Sequence, residues 1–226
     1  MKFKPIDELT LADNFMFCHT MKNEELCKEL LEKLLHIKID HIIYPELEKE
    51  LTAYYEMKSV RLDVYVKDSD KIFDIEMQME DTHDLPKRTR YYQALCDSEA
   101  LNKGESYRNL KEQYIIFICP DDIFKQGRAV YRFKNLELGH PEHELGDLCY
   151  KIFYIFNKYR EVAEQSVKEY LEYFATNKAT SKGTKDIERQ RQWYLSDNET
   201  RKRYMTWQQE LDDLVYDERQ RTKAAE

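Results

Sequence analysis

The sequence predicts an α/β chain, and three features carry that prediction. Two alternating apolar–polar runs flank a short polar turn between Val60 and Glu80. A continuous apolar run, Tyr114 to Cys119, stops at Pro120. Around them lie stretches with apolar residues at helical spacing. Alternation marks a half-buried strand, a short unbroken apolar run a strand covered on both faces, and a 3.6-residue period a helix.

Taken in order, residues 7–20 are expected to form a helix carrying Leu9, Leu11, Phe15 and Phe17. A clearer one follows. Asn23 can cap it, Glu24 and Glu25 fill its first turn, and Leu26, Leu30, Leu31, Leu34 and Leu35 make an apolar stripe. Next come the two alternating runs. Val60, Leu62, Val64 and Val66 alternate with Arg61, Asp63 and Tyr65, and then Phe73, Ile75, Met77 and Met79 alternate with Asp74, Glu76 and Gln78. Joined by KDSD, they read as a β-hairpin with one apolar face and one wet, acidic face. A helix should follow from Leu85 and Pro86, with Gly104 as its cap. Tyr114–Cys119 reads as a buried strand, and residues 128–138 and 148–156 as further strands. Residues 158–177 look helical. TSKGT, residues 180–184, marks a boundary that separates residues 1–179 from a charged, helix-prone extension, 180–226. The apolar content of that extension is Trp193, Tyr194, Tyr204, Trp207, Leu211, Leu214 and Val215.

Composition narrows the class. Hydrophobic residues make up 42%, enough for a sizeable core, and Gly and Pro number only 5 each, which argues against low-complexity segments. The formal net charge is −8. Nucleic-acid binders are usually basic, yet one local basic stripe suffices, and a carboxylate cluster that holds a metal adds to the negative count. From Lys178 onward there are 11 Lys/Arg and 10 Asp/Glu, so the surplus of acid lies in the first 177 residues. The five cysteines are odd in number and lack metal-clip spacing, which suggests buried reduced thiols. No signal-like stretch opens the chain and no long apolar run occurs, so a cytoplasmic location is expected.

The hairpin gathers the candidate chemistry. If its turn is centred between Ser69 and Asp70, pairing partners have numbers that sum to 139, and Asp63 falls opposite Glu76. Directly opposed Cβ atoms lie about 4.5–5.5 Å apart, so the two carboxylates can share one hard cation. Such an ion would activate water and stabilise charge on a phosphate. Acids on a wet hairpin face are commonplace, so the third member matters more. Gln78 stands two residues after Glu76 on the same face, where its amide can contact an attacking water.

The order Asp63, turn, then IEMQ (Ile75 to Gln78) resembles the PD-(D/E)XK nuclease superfamily. It looks most like the recombination-promoting nuclease (Rpn) or transposase branch, in which Gln stands where the wider superfamily has Lys. LTLADNFMF (Leu9 to Phe17), RTRYYQAL (Arg88 to Leu95) and LNKGESYRNLKEQYIIFIC (Leu101 to Cys119) resemble that family's opening helix, basic-aromatic helix and following strand. The likeness spans about residues 8–160. It implies a restriction-endonuclease-like core, a central mixed β-sheet flanked by helices, and phosphodiester hydrolysis in DNA with Mg²⁺ or Mn²⁺. By the same resemblance, Asp63, Glu76 and the Met77 carbonyl are metal ligands, Gln78 positions the water, and Asp13 is an auxiliary acid. Leu62 stands where the superfamily name has Pro, and Gln78 lacks the charge of Lys.

Other readings stay open. Asp13 serves equally as an exposed helix acid or N-cap, and Asp74 is expected to be solvated. Lys87, Arg88 and Arg90, in the first turn of a helix, either hold DNA phosphate or pair with the acidic hairpin. Tyr91 and Tyr92 suit core packing better than base stacking, and His140 and His143 a polar loop better than a metal. The rival functions are an inactive relative that binds nucleic acid or protein, and a metal-independent interaction module. A homodimer is an open option.

Overall fold

The computed structural model describes residues 3–51 and 60–225, with the side chains of residues 44–51, Val60, Arg61 and several positions from 214 onward, among them Leu214 and Val215, outside the described set. Among the described residues, six α-helices and eight strands follow one another along the chain. The strands are β1 (Tyr44–Leu51), β2 (Val60–Lys67), β3 (Lys71–Met77), β4 (Glu112–Cys119), β5 (Val130–Phe133), β6 (Leu136–Glu137), β7 (His140–Glu144) and β8 (Cys149–Ile155). The helices are α1 (Asn14–Thr20), α2 (Glu24–Leu35), α3 (Leu85–Ala100), α4 (Gln165–Thr176), α5 (Lys182–Ser196) and α6 (Asn198–Ala225).

Six strands form one mixed sheet in the order β1-β2-β3-β4-β8-β5, and β6 and β7 make a separate exposed ribbon. β2 runs antiparallel to both of its neighbours, β1 and β3, while β3, β4 and β8 run parallel, and β5 returns antiparallel on β8. Alternation sends Val64, Val66, Phe73, Ile75, Ile116 and Ile118 to one side, where α2 and α4 cover them. Tyr65, Ile72, Ile115, Phe117 and Phe153 face the other side, under Leu85, Tyr92, Leu95 and Cys96 of α3. The architecture is therefore α/β, a mixed sheet between helical layers, as the sequence predicts.

The hairpin register is the expected one: Val64 pairs with Ile75, Tyr65 with Asp74 and Val66 with Phe73, each pair summing to 139. Its acidic face, however, is not wet. Asp74 is 0% and Glu76 4% exposed, because α3 folds back over that face directly after the hairpin. Asp74 is thus buried rather than solvated. β1 was not foreseen from YPELEKEL, whose charges and Pro45 suit a sheet edge better than an interior strand.

Helix limits follow local chemistry. The Asn23 side chain accepts from the Glu25 and Leu26 amides and starts α2 as expected. The helix expected over 7–20 begins only at Asn14, with Asp13 as its N-cap residue. α3 ends at Ala100 on an extended Leu101, so Gly104 (φ 92°) belongs to the turn beyond rather than to a helix cap. The C-terminal extension divides into α5 and α6 at Asp197, and Ser181 and Thr184 cap α5 reciprocally. Both helices pack against the rest. Arg191 Nη1 donates to the Leu9 carbonyl at 2.7 Å. Leu195 and Tyr204 share a cluster with Leu9, Phe15 and Met16. All five cysteines are buried thiols outside any disulfide.

Candidate active site

Backbone pairing between β2 and β3 extends to Val64 and Ile75. One step further, side chains replace the ladder. The Asp63 N–H donates to Glu76 Oε1 at 3.0 Å, and the Met77 N–H donates to Asp63 Oδ2 at 2.9 Å. Each carboxylate thus holds the other's strand. The Cys18 thiol of α1 donates to the Asp63 carbonyl at 3.3 Å and fixes the outer side of the same segment. The result brings Asp63 and Glu76 together at the end of β3, where β3, β4 and β8 point their C-terminal ends.

Charge is concentrated here. Burial raises the Glu76 carboxyl well above the usual range, and the neighbouring charges of Asp63 and Asp74 push it the same way. Asp74 rises for the same reasons, burial first and Asp63 second. Among the described residues no N–H or O–H donor other than the neighbouring Glu76 carboxyl reaches either Asp74 oxygen. Buried carboxyls without donors are costly unless a cation compensates them.

Among the described residues, the cation paired with Glu76 is Arg88 of α3, with Nη2 3.7 Å from Glu76 Oε2. Its Nη1 donates to Gln78 Oε1 at 2.8 Å, and its Nε and Nη2 donate to the Tyr92 hydroxyl at 3.2 and 2.6 Å. The guanidinium also sits over the Tyr92 and Phe117 rings at 5.3 and 5.5 Å. Gln78 is engaged at both ends, since its Nε2 donates to the Glu80 carbonyl at 2.6 Å. Its backbone N–H continues the β3–β4 ladder to the Ile118 carbonyl.

The remaining candidates lie as follows. Asp13 accepts from the Thr10 amide and hydroxyl at 2.7 and 2.9 Å and from Lys4 Nζ at 2.6 Å, which makes it a turn and ion-pair residue in this conformation. Lys87 and Arg90 are exposed on the first turns of α3. Tyr92 is buried and stacks on Phe117 at 6.1 Å between centroids. His140 and His143 are exposed on β7 and pair with Glu142 and Glu137. The linkage from Arg88 to Gln78 escaped the sequence reading, because no spacing rule relates a strand end to a helix ten residues later.

Oxygen donors of this kind suit a hard divalent ion. Asp63 and Glu76 each keep one oxygen outside the reciprocal bonds, the Met77 carbonyl lies on the same segment, and the buried acids call for positive charge. Among the described residues no group of three His, Cys, Asp or Glu side chains is close enough to hold an ion. An ion here would therefore rest on two carboxylates with main-chain and water oxygens, the coordination Mg²⁺ usually accepts.

A family model described as PD-(D/E)XK nuclease family transposase matches residues 14–224. No match was found among curated proteins or among solved structures. The match runs through α5 and α6, beyond the stretch whose motifs are legible by eye. The mixed sheet, its flanking helices and this match together give the core a restriction-endonuclease-like fold, and the chain belongs to the PD-(D/E)XK nuclease family of transposases.

Proposed function

We propose that this protein is a metal-dependent DNA endonuclease that hydrolyses phosphodiester bonds, with a role in recombination or the movement of mobile elements. The observation that carries the reading is the reciprocal bonding of Asp63 and Glu76, which fixes a half-buried and a buried carboxyl side by side at a sheet end. Mg²⁺ or Mn²⁺, held by Asp63, Glu76 and the Met77 carbonyl, would supply an activated water and charge stabilisation at the phosphate.

The chain's own residues do the rest. The Asp63 and Glu76 main-chain bonds keep the carboxylates from turning away. α3 excludes bulk water from the acidic face. Lys87 and Arg90, exposed on the first turns of α3, are free to take DNA phosphates on either side of the one that reacts. Gln78 acts through its neighbours, because its amide is occupied by Arg88 and Glu80. Asp13 could join the site only after release from Lys4 and Thr10. No helix among the described residues is long and apolar enough to cross a membrane, and action on cytoplasmic DNA fits the reading.

A second reading, an inactive relative that binds nucleic acid, draws on the double engagement of Gln78. Plasmid nicking with Mg²⁺, Mn²⁺ or EDTA separates the two. The endonuclease reading expects cleavage with either ion, none in EDTA and none for Asp63→Ala. DNA retention without ion-dependent cleavage would favour the inactive relative.

A further inference from the structure

We infer that Arg88 is an internal counter-ion that occupies the candidate metal site from α3 and must give way when a divalent ion binds, with Gln78 and Tyr92 as its anchors. The inference rests on the proposed reading of Asp63 and Glu76 as ligands.

Glu76 has two carboxylate oxygens with different partners. Oε1 takes the Asp63 N–H, and Oε2 faces Arg88 Nη2 at 3.7 Å. The oxygen left for a metal is therefore the one the guanidinium already faces. Two cations cannot share it without strong repulsion at that separation. The Arg88 contact is longer than a hydrogen bond, and its side chain is 24% exposed, so a path outward exists. Two anchors hold it inward meanwhile: Gln78 Oε1 takes one nitrogen, and the Tyr92 hydroxyl takes two.

This arrangement also accounts for Gln at position 78. An arginine needs acceptors, and the amide oxygen supplies one at 2.8 Å. A lysine in its place would present a like charge. Buried acids make the metal-free site costly, and the guanidinium partly neutralises them until an ion arrives. Once displaced, Arg88 stands on the same helical turn as Lys87 and Arg90, where phosphate can take it up.

Calorimetric Mn²⁺ binding to the full chain tests this with four proteins: wild type, Arg88→Met, Tyr92→Phe and Glu76→Gln. Arg88→Met keeps an unbranched apolar stem and removes the charge, and it should bind Mn²⁺ at least about tenfold more tightly than wild type. Tyr92→Phe, which loosens the anchor and keeps the ring, should bind a few-fold more tightly. Glu76→Gln should not bind. Equal or weaker binding by Arg88→Met overturns the inference. If Arg88→Met does not fold, unchanged or weaker binding by Tyr92→Phe overturns it. Wild-type binding that survives in Glu76→Gln, or no binding by any protein, overturns the ligand assignment along with it.

Discussion

Arg88 Nη1 and Gln78 Oε1, 2.8 Å apart, join the first turn of α3 to the end of β3. That bond gives the amide oxygen of Gln78, a residue expected to orient water, a guanidinium partner. Replacing Gln78 by Lys removes an acceptor and sets an ammonium against the guanidinium. Gln78→Lys should lose roughly 1–3 kcal/mol of stability in EDTA. Urea unfolding of the two proteins side by side measures it, and equal midpoints and slopes would show that the bond carries no weight.

Asp74 is fully buried, and among the described residues its oxygens meet no donor other than the neighbouring Glu76 carboxyl. Burial and the nearby Asp63 raise its carboxyl, so its charged form destabilises the metal-free fold. Asp74→Asn keeps the shape and removes the charge. In metal-free buffer at neutral pH it should gain about 1–3 kcal/mol. A loss of stability instead would mean that the carboxylate has a compensating partner.

Lys87 and Arg90 are exposed on the first turns of α3, the helix that carries Arg88. If both contact DNA phosphate, Lys87→Ala/Arg90→Ala should weaken binding for every sequence alike. The slope of log affinity against log salt should become shallower by about 2. Fluorescence anisotropy with a short duplex over a salt series gives both quantities. An unaltered slope would exclude them from the DNA path.

His19 lies between α1 and the C-terminal helices, stacked on Phe15 at 4.0 Å and edge-on to Tyr194 at 5.9 Å. Its Nδ1 is 2.9 Å from the Phe15 carbonyl, and its Nε2 is buried with no hydrogen-bond partner among the described residues. Burial, with Lys22 and Arg203 adding to it, lowers the imidazole from 6.5 to about 4. The unfolded chain therefore binds a proton more readily than the folded one between those values. Stability from this group is complete above about 6.5 and is lost as pH falls towards 4, by up to about 3 kcal/mol. Unfolding curves at pH 7 and pH 5 should differ accordingly, and His19→Phe should show a smaller difference. The same pH loss in the variant would assign it to other groups.

Much of the site was legible because short-range rules govern it. The period-two alternation put Asp63, Asp74, Glu76 and Gln78 on one face, and an even turn at KDSD set a register that the strands follow. Asn23 chose the start of α2 through its own side chain. These outcomes depend on neighbours in sequence, so the sequence alone determined them. The covering of the acidic face was decided by tertiary packing: Leu85, Tyr92, Leu95 and Cys96 bury against β4 and β8, and only then do Asp74 and Glu76 lose water. The same docking delivers Arg88 to Gln78 and Glu76. The C-terminal helices are a second case, since their composition reads as a charged extension while Arg191, Leu195 and Tyr204 are spent on Leu9 and Phe15, some 180 residues away. Local chemistry sets faces and caps within a few residues. Which faces meet is settled by long-range burial, which no spacing in the chain encodes.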